Sequence, residues 1–215
     1  MRRMLRIASA LGLVGFLSFP GQAAITFYTS QIAFDAVAAT GLVEDFENTG
    51  ATTDAPISGF SHNGVTYQGL IGGVPFPNVY LYSPGGSEFG AGVPQPLMTT
   101  VLTSNGEEHF SVTFDAARHA VGFDVYLNGL GPTTVDVFGG ATLLDSFAFP
   151  DAQNDKAFLG FTSPTGITSF VWTATLGSLV NTGIDNLVAD VPEPGSLAAF
   201  GMALAGLLAR RRRKS

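Results

Sequence analysis

The residues able to do chemistry in this 215-residue chain are overwhelmingly carboxylates. Between Ile25 and Asp190 stand 16 acidic side chains against two basic ones, Arg118 and Lys156. Two carboxylates roughly 5–10 Å apart across a cleft can hydrolyse a glycosidic bond. Several converging on one point can hold calcium or magnesium. Solvated, they keep a protein soluble. Asp45 and Glu47 are two positions apart, so in a strand they share a face, with Phe46 opposite, and both can reach one ion. Asp124 and Asp136 fall in neighbouring predicted strands and could face each other, but 16 acids make some pair inevitable, so that pair assigns no hydrolase. The imidazoles are His62, His109 and His119, and none stands in an H-E-x-x-H or His-x-His pattern. With no cysteine, thiolate zinc, iron–sulfur and disulfide chemistry are excluded, as is a cysteine nucleophile. No G-x-S-x-G elbow or P-loop occurs. No catalytic residue is assigned, and the chain is read as a non-enzyme. A body this acidic has no basic face to displace counterions from phosphates, which sets nucleic-acid binding aside.

The elements that must position these residues are strands. Glycine is abundant, 27 of 215, and apolar residues alternate in runs bounded by glycine, proline and asparagine. The pattern predicts strands over 25–29, 42–47, 79–82 and 97–102, and a hairpin over 60–70 turning at Asn63-Gly64. A meander then follows over 109–115, 120–127, 133–138, 142–149, 157–162, 167–176 and 183–188. The one helix is predicted over 30–39, capped by Ser30, with Ile32, Phe34, Val37 and Ala38 as its apolar stripe. Residues 83–96, rich in glycine and proline, read as a long loop. This spacing predicts an all-β, antiparallel β-sandwich body at 25–190 with one short N-terminal helix. Trp172 shares a face with Phe170 and Ala174 and is assigned to the core. Tyr67, Tyr80, Tyr82 and Tyr126 are the aromatics available to stack on sugar rings if the body binds carbohydrate.

The two ends carry the remaining cations. Arg2, Arg3 and Arg6 precede an apolar run to Phe19, and Gly21-Gln22-Ala23 offers small residues before a cut there or after Ala24, so 1–24 reads as a signal peptide. At the other end, Pro192-Glu193-Pro194 leads into an uncharged stretch, Leu197 to Ala209, and then Arg210, Arg211, Arg212, Arg213 and Lys214. As a helix, 195–209 spans about 22 Å, short of the roughly 30 Å hydrocarbon core, and snorkelling arginines make up part of the difference. Five consecutive cations disfavour translocation of this end. Both basic ends therefore stay cytoplasmic while the acidic body crosses the membrane.

This three-part end resembles the PEP-CTERM sorting tail of Gram-negative bacteria, with Pro192, Glu193 and Pro194 as the motif, a short transmembrane helix, and Arg210 to Lys214 as the basic anchor. The resemblance implies export through a signal peptidase and transient anchoring in the inner membrane. It further implies processing by an exosortase-type membrane protease and delivery to the cell surface or extracellular polymer, where a structural or adhesive role in matrix or biofilm is expected. The body resembles the jelly-roll sandwiches of such proteins and of carbohydrate-binding modules, in Asp45-Phe46-Glu47, Val121-Gly122-Phe123-Asp124-Val125 and Gly183-Ile184-Asp185-Asn186-Leu187. By that resemblance the first and last strands lie side by side, and Glu47 and Asp185, with Asp45 as a third, are the candidates to hold a structural calcium ion. Extracellular polysaccharide is the implied partner of the carbohydrate-binding alternative.

Overall fold

The computed structural model describes residues 25–84, 98–104, 108–127, 131–150, 156–174 and 182–190. The stretches expected to be signal peptide (1–24) and sorting tail (191–215), and all but the first two residues of the expected 83–96 loop, lie outside the described residues.

In chain order the elements are β1 (Thr26–Tyr28), α1 (Gln31–Asp35), β2 (Thr40–Glu44), β3 (Gly59–His62), β4 (Val65–Ile71), β5 (Val74–Pro75) and β6 (Val79–Tyr82). There follow β7 (Val101–Ser104), β8 (Glu108–Tyr126), β9 (Thr133–Gly139), β10 (Thr142–Phe149), β11 (Lys156–Ala174) and β12 (Gly183–Asp190). All pairings are antiparallel.

The frame is one ribbon folded over on itself. β8 and β11 pair from end to end apart from an interruption at the middle, with Lys156 opposite Tyr126 at one end and Ala174 opposite Glu108 at the other. In a straight ribbon Phe170 would sit 11 residues, about 36 Å, beyond the Leu159 that pairs with Phe123. Instead the Phe123 and Phe170 rings stack with centroids 4.9 Å apart, and Phe123 also meets Trp172 at 6.4 Å. The two halves of the ribbon therefore face each other, and the residues between their inner faces are the core. Around one half, β9 and β10 extend the layer beyond β11, while β4, carrying β3 and β5, extends it beyond β8. Around the other half, β1 lies on β11 and β12 lies on β8; the far side of β12 is shared by β2 and by β7–β6.

The fold-over explains where the sequence reading needs correction. Two pairs of predicted strands, 109–115 with 120–127 and 157–162 with 167–176, are single strands that pass through the crease without breaking. Pro164 falls in the stretch where β11 skips pairing between Thr162 and Ile167, so its missing N–H costs no ladder bond. Gly166, at φ +85°, turns the backbone there. The Asn63-Gly64 hairpin forms as predicted, both residues at positive φ. The helix is shorter than predicted. Ser30 caps it by accepting from the Ala33 N–H, and Phe34 and Ala38 are buried, but Ile32 and Val37 are 84% and 61% exposed. So short an element can turn only one narrow stripe inward. That stripe is Phe34, whose ring covers Gly122 and Gly160: a Cβ at Gly160 would stand 2.6 Å from the ring. β2 ends at Glu44, short of the predicted 47, because Phe46 takes φ 60°.

Trp172, Phe170 and Ala174 are fully buried, as their shared face predicts, and the indole N–H donates to Thr182 Oγ1 at 3.1 Å. Asp124 and Asp136 do not face each other: Asp124 pairs across from Asp185 and Phe158, Asp136 from Val171 and Ser146, in opposite layers.

Phe34 fills a socket made by two glycines, so Phe34→Ala is expected to cost about 3–5 kcal/mol. Denaturant unfolding checks the magnitude, and hydrogen exchange should show α1 opening while the β8–β11 amides stay protected.

Candidate functional site

On the outer side of the second layer, away from the core, three separate segments meet, two bearing acids and one bearing threonines. The first is the turn after β2. The positive φ of Phe46 sends its ring inward against Tyr67, centroids 5.3 Å apart. It also turns Glu47 outward. The second is Thr99-Thr100, just before β7. The third is a bulge in β12: three residue steps, Asp185 to Val188, oppose two on β8, Asp124 to Gly122. The extra residue bends the strand, and Asn186 takes the left-handed conformation there, φ 49°, which asparagine tolerates.

Glu47 and Asp185 come together through one hydroxyl. Thr99 Oγ1 lies 3.1 Å from Glu47 Oε1 and 2.9 Å from Asp185 Oδ2. Glu47 also accepts the Thr100 N–H at 2.7 Å and the Thr100 hydroxyl at 2.9 Å. Asp185 accepts the Asn186 N–H at 2.6 Å on Oδ1, and the Asn186 side-chain amide at 3.1 Å on Oδ2. The same amide donates to Asp124 Oδ2 at 2.8 Å, which also receives Lys156 Nζ at 2.8 Å. Asp124 and Asp185 are direct cross-strand partners, a like-charge juxtaposition that is unfavourable alone. The bridging amide and the lysine offset it.

Asp185 is fully buried. Burial raises its carboxyl from the ordinary 3.8 to about 6, against the pull of the Thr99 and Asn186 hydrogen bonds. Glu47 moves the other way, held below its ordinary range chiefly by the Thr100 N–H. Thr99 has a single hydroxyl proton for two carboxylate oxygens. The arrangement is complete when Asp185 is protonated and donates to Thr99, which donates to Glu47, or when a cation sits between the two acids.

Resemblance set Glu47 and Asp185 side by side, and the structure brings the two side chains to one hydroxyl. Asp45 does not join them. The strand has ended before it, so alternation no longer applies, and its Oδ1 accepts the Glu47 N–H at 3.1 Å within its own turn. Among the described residues no three acidic or histidine side chains converge as metal ligands. Thr99, Thr100 and Asn186 were missed; the signal available was the Asp185-Asn186 dipeptide inside a strand pattern. Glu44 was missed as well. It is buried and pairs with His62 Nδ1, while also accepting the Phe46 N–H at 3.0 Å. Of the four tyrosines, Tyr67 is wholly buried, and Tyr82 and Tyr126 are nearly so. Tyr80 is half-buried and stacks on Tyr82, centroids 5.5 Å apart and planes 8° from parallel.

One feature of the chain lies just beyond β12. Residues 190–214 match the model of the PEP-CTERM protein-sorting motif. This chain carries a PEP-CTERM sorting tail. The PEP-CTERM tail marks it as an exported protein sorted to the cell surface and implies processing by an exosortase. No curated protein matches the sequence. Among solved structures, the body is similar to two point variants of a family 29 carbohydrate-binding module. These have 12% and 13% identity and TM-scores of 0.42 and 0.41, covering 71% and 73% of this chain and 92% and 99% of the modules. It is also similar to the K2 cleaved adhesin domain of Lys-gingipain, with 11% identity and a TM-score of 0.47, covering 71% of this chain and all of that domain.

The sign of the pH dependence follows from Asp185. Its folded value lies above its unfolded one, so the folded state binds the proton more tightly. Stability from this group is full below pH 3.8 and is lost as pH rises through about 6. A two-unit difference corresponds to about 3 kcal/mol. Glu47 has the opposite sign and loses its contribution only below its ordinary range. Melting temperature is therefore expected to rise as pH falls from 7 to 5, and Asp185→Asn to flatten that rise while matching or exceeding the parent at pH 7.

Proposed function

We propose that this is a non-enzymatic surface or extracellular-matrix protein whose acidic β-sandwich, of jelly-roll type, acts as a rigid structural or adhesive module in extracellular polymer or biofilm. The observation that carries the reading is the sorting motif starting at Asp190, the last residue of β12, so that cargo and tail adjoin directly. On this reading a signal peptidase removes 1–24, the apolar stretch up to Ala209 holds the chain transiently in the inner membrane, and the protease frees the body. Support for rigidity comes from the polar network. Three segments far apart in sequence, at 47, 99–100 and 185–186, are tied to one another by side-chain hydrogen bonds, so the acids there hold the surface together.

A structural calcium ion between Glu47 and Asp185 belongs to this reading. Its support is the count above: one hydroxyl proton serves two carboxylate oxygens. Calcium takes six to eight oxygens, and the Thr99 and Thr100 hydroxyls stand beside the two acids. A chelator that lowers the melting temperature at pH 7, with no effect on Asp185→Ala, would support the ion. Identical melting curves with and without chelator would leave the protonated clasp as its replacement.

A second reading, carbohydrate binding, is favoured by the parallel Tyr80–Tyr82 stack on β6. Tyr80 is the less buried of the two, and a tyrosine ring presents an apolar face of the kind that stacks on a sugar ring. Tyr80→Ala is expected to leave the fold intact and to abolish retention on the polysaccharide of the producing cell; unchanged retention removes the carbohydrate reading.

For the sorting itself, deletion of 192–194 is expected to leave full-length protein in the membrane fraction. Intact-mass measurement of the extracellular form reports both cuts at once, and undiminished release of a shortened form from the deletion variant would count against the reading.

A further inference from the structure

Strand termini usually fray, but the end of β12 is fastened on every side. Asp190 pairs with Thr40 of β2. Its Oδ1 accepts two backbone N–H groups, from His119 at 2.8 Å and Ala120 at 3.1 Å. Its carbonyl accepts Arg118 Nη1 at 3.0 Å. The guanidinium is itself held, with Nη2 on Asp115 Oδ1 at 3.1 Å and Cζ 5.8 Å from the Phe114 ring centre. Arg118 is only 8% exposed. A buried cation is costly unless paired, and this body has two cations in all to set against 16 acids. One of the two is buried in order to grip the residue at which the sorting motif begins.

Chain geometry makes that grip consequential. Glu193 is three residues beyond Asp190, so it lies within about 11 Å of it however the intervening residues run. Proline at 192 and 194 fixes φ at two of the next four positions and biases the residues before them to extended backbone. No glycine or serine stands between Asp190 and Pro194. A protease that reads the motif must therefore work close against the crease of the folded body, beside Asp115, Arg118 and His119.

We propose that Arg118 and Asp190 are positioning residues for processing of the tail: by locking the end of β12 they fix the point from which the sorting motif leaves the body. The clamp moves the ordering of the tail's root from the recognition step to the folding step, where it is already complete. This inference rests on the sorting reading above and adds that the folded body is part of what the protease meets.

The test uses the full chain in an exporting host. A flexible Gly-Ser linker of about six residues, inserted between Asp190 and Val191, leaves every clamp contact in place and separates the motif from it. The expected result is an unchanged melting temperature with release slowed by about tenfold, the scale set by ordering roughly one further residue at recognition. Arg118→Met is expected to slow release too, with partial rescue in Arg118→Lys, but it also removes the ion pair with Asp115 and lowers the melting temperature, so the linker variant decides. Release of the linker variant at the parental rate overturns the proposal. Deletion of 192–194 runs alongside: if it too leaves release unchanged, the sorting reading has failed and the clamp's role falls with it, whereas a block there with a freely processed linker variant refutes the clamp alone.

Discussion

A body with 16 acids and two bases can neutralise a buried carboxylate with a cation at most twice, and that constraint shapes its polar architecture. Lys156 goes to Asp124 and Arg118 to the Asp115–Asp190 end. Asp185 is left to be buried with neutral donors only. Hydroxyls and amides can hold a carboxylate, but they do not cancel the cost of removing its charge from water. The consequence is the raised Asp185 carboxyl. Glu44 shows the other solution open to a cation-poor protein: a buried acid shared between a backbone N–H and an imidazole.

The folded ribbon sets where those acids go. Because β8 and β11 run through both layers, their inner residues alternate into one core on both sides of the crease, and their outer residues are distributed over two opposite surfaces. Asp124 and Asp136 look like neighbours along the sequence of strands, yet the crease lies between them. The same crease gathers the chain's entrance and exit. Thr26 pairs with Thr162, which pairs with Ala120, whose N–H meets the Asp190 carboxylate. The start of the body and the root of the sorting tail thus leave from one end of one layer, and the tyrosine stack of β6 stands toward the other end.

Most of the strand pattern could be read from the residues. Alternation in Phe110-Ser111-Val112-Thr113-Phe114 and 121–127 marks the buried faces correctly, and Trp172 was placed in the core by its neighbours on the same face. Period-two patterning reports which side of a strand is buried and is silent on whether two runs are one bent strand or two. The crease at 115–119 and 163–168 therefore escaped it. The pairing of Glu47 with Asp185 was legible only through likeness, since nothing in local sequence links positions 138 residues apart. The positive φ of Phe46 was not legible at all, because phenylalanine rarely adopts it. That single torsion ended β2 early, separated Asp45 from Glu47 and dismantled the expected trio.

Phe46 and Asn186 deserve comparison on this point. Each is a non-glycine residue at positive φ, and each is the chain neighbour of one clasp acid, Glu47 or Asp185. Such backbone costs of order 1–3 kcal/mol and persists where the surroundings over-determine it. For Phe46 the compensation is complete burial of its ring; for Asn186 it is an amide that bridges two carboxylates. The two left-handed residues shape the turn after β2 and the bulge of β12, and it is at these two places that Glu47 and Asp185 come to share the Thr99 hydroxyl.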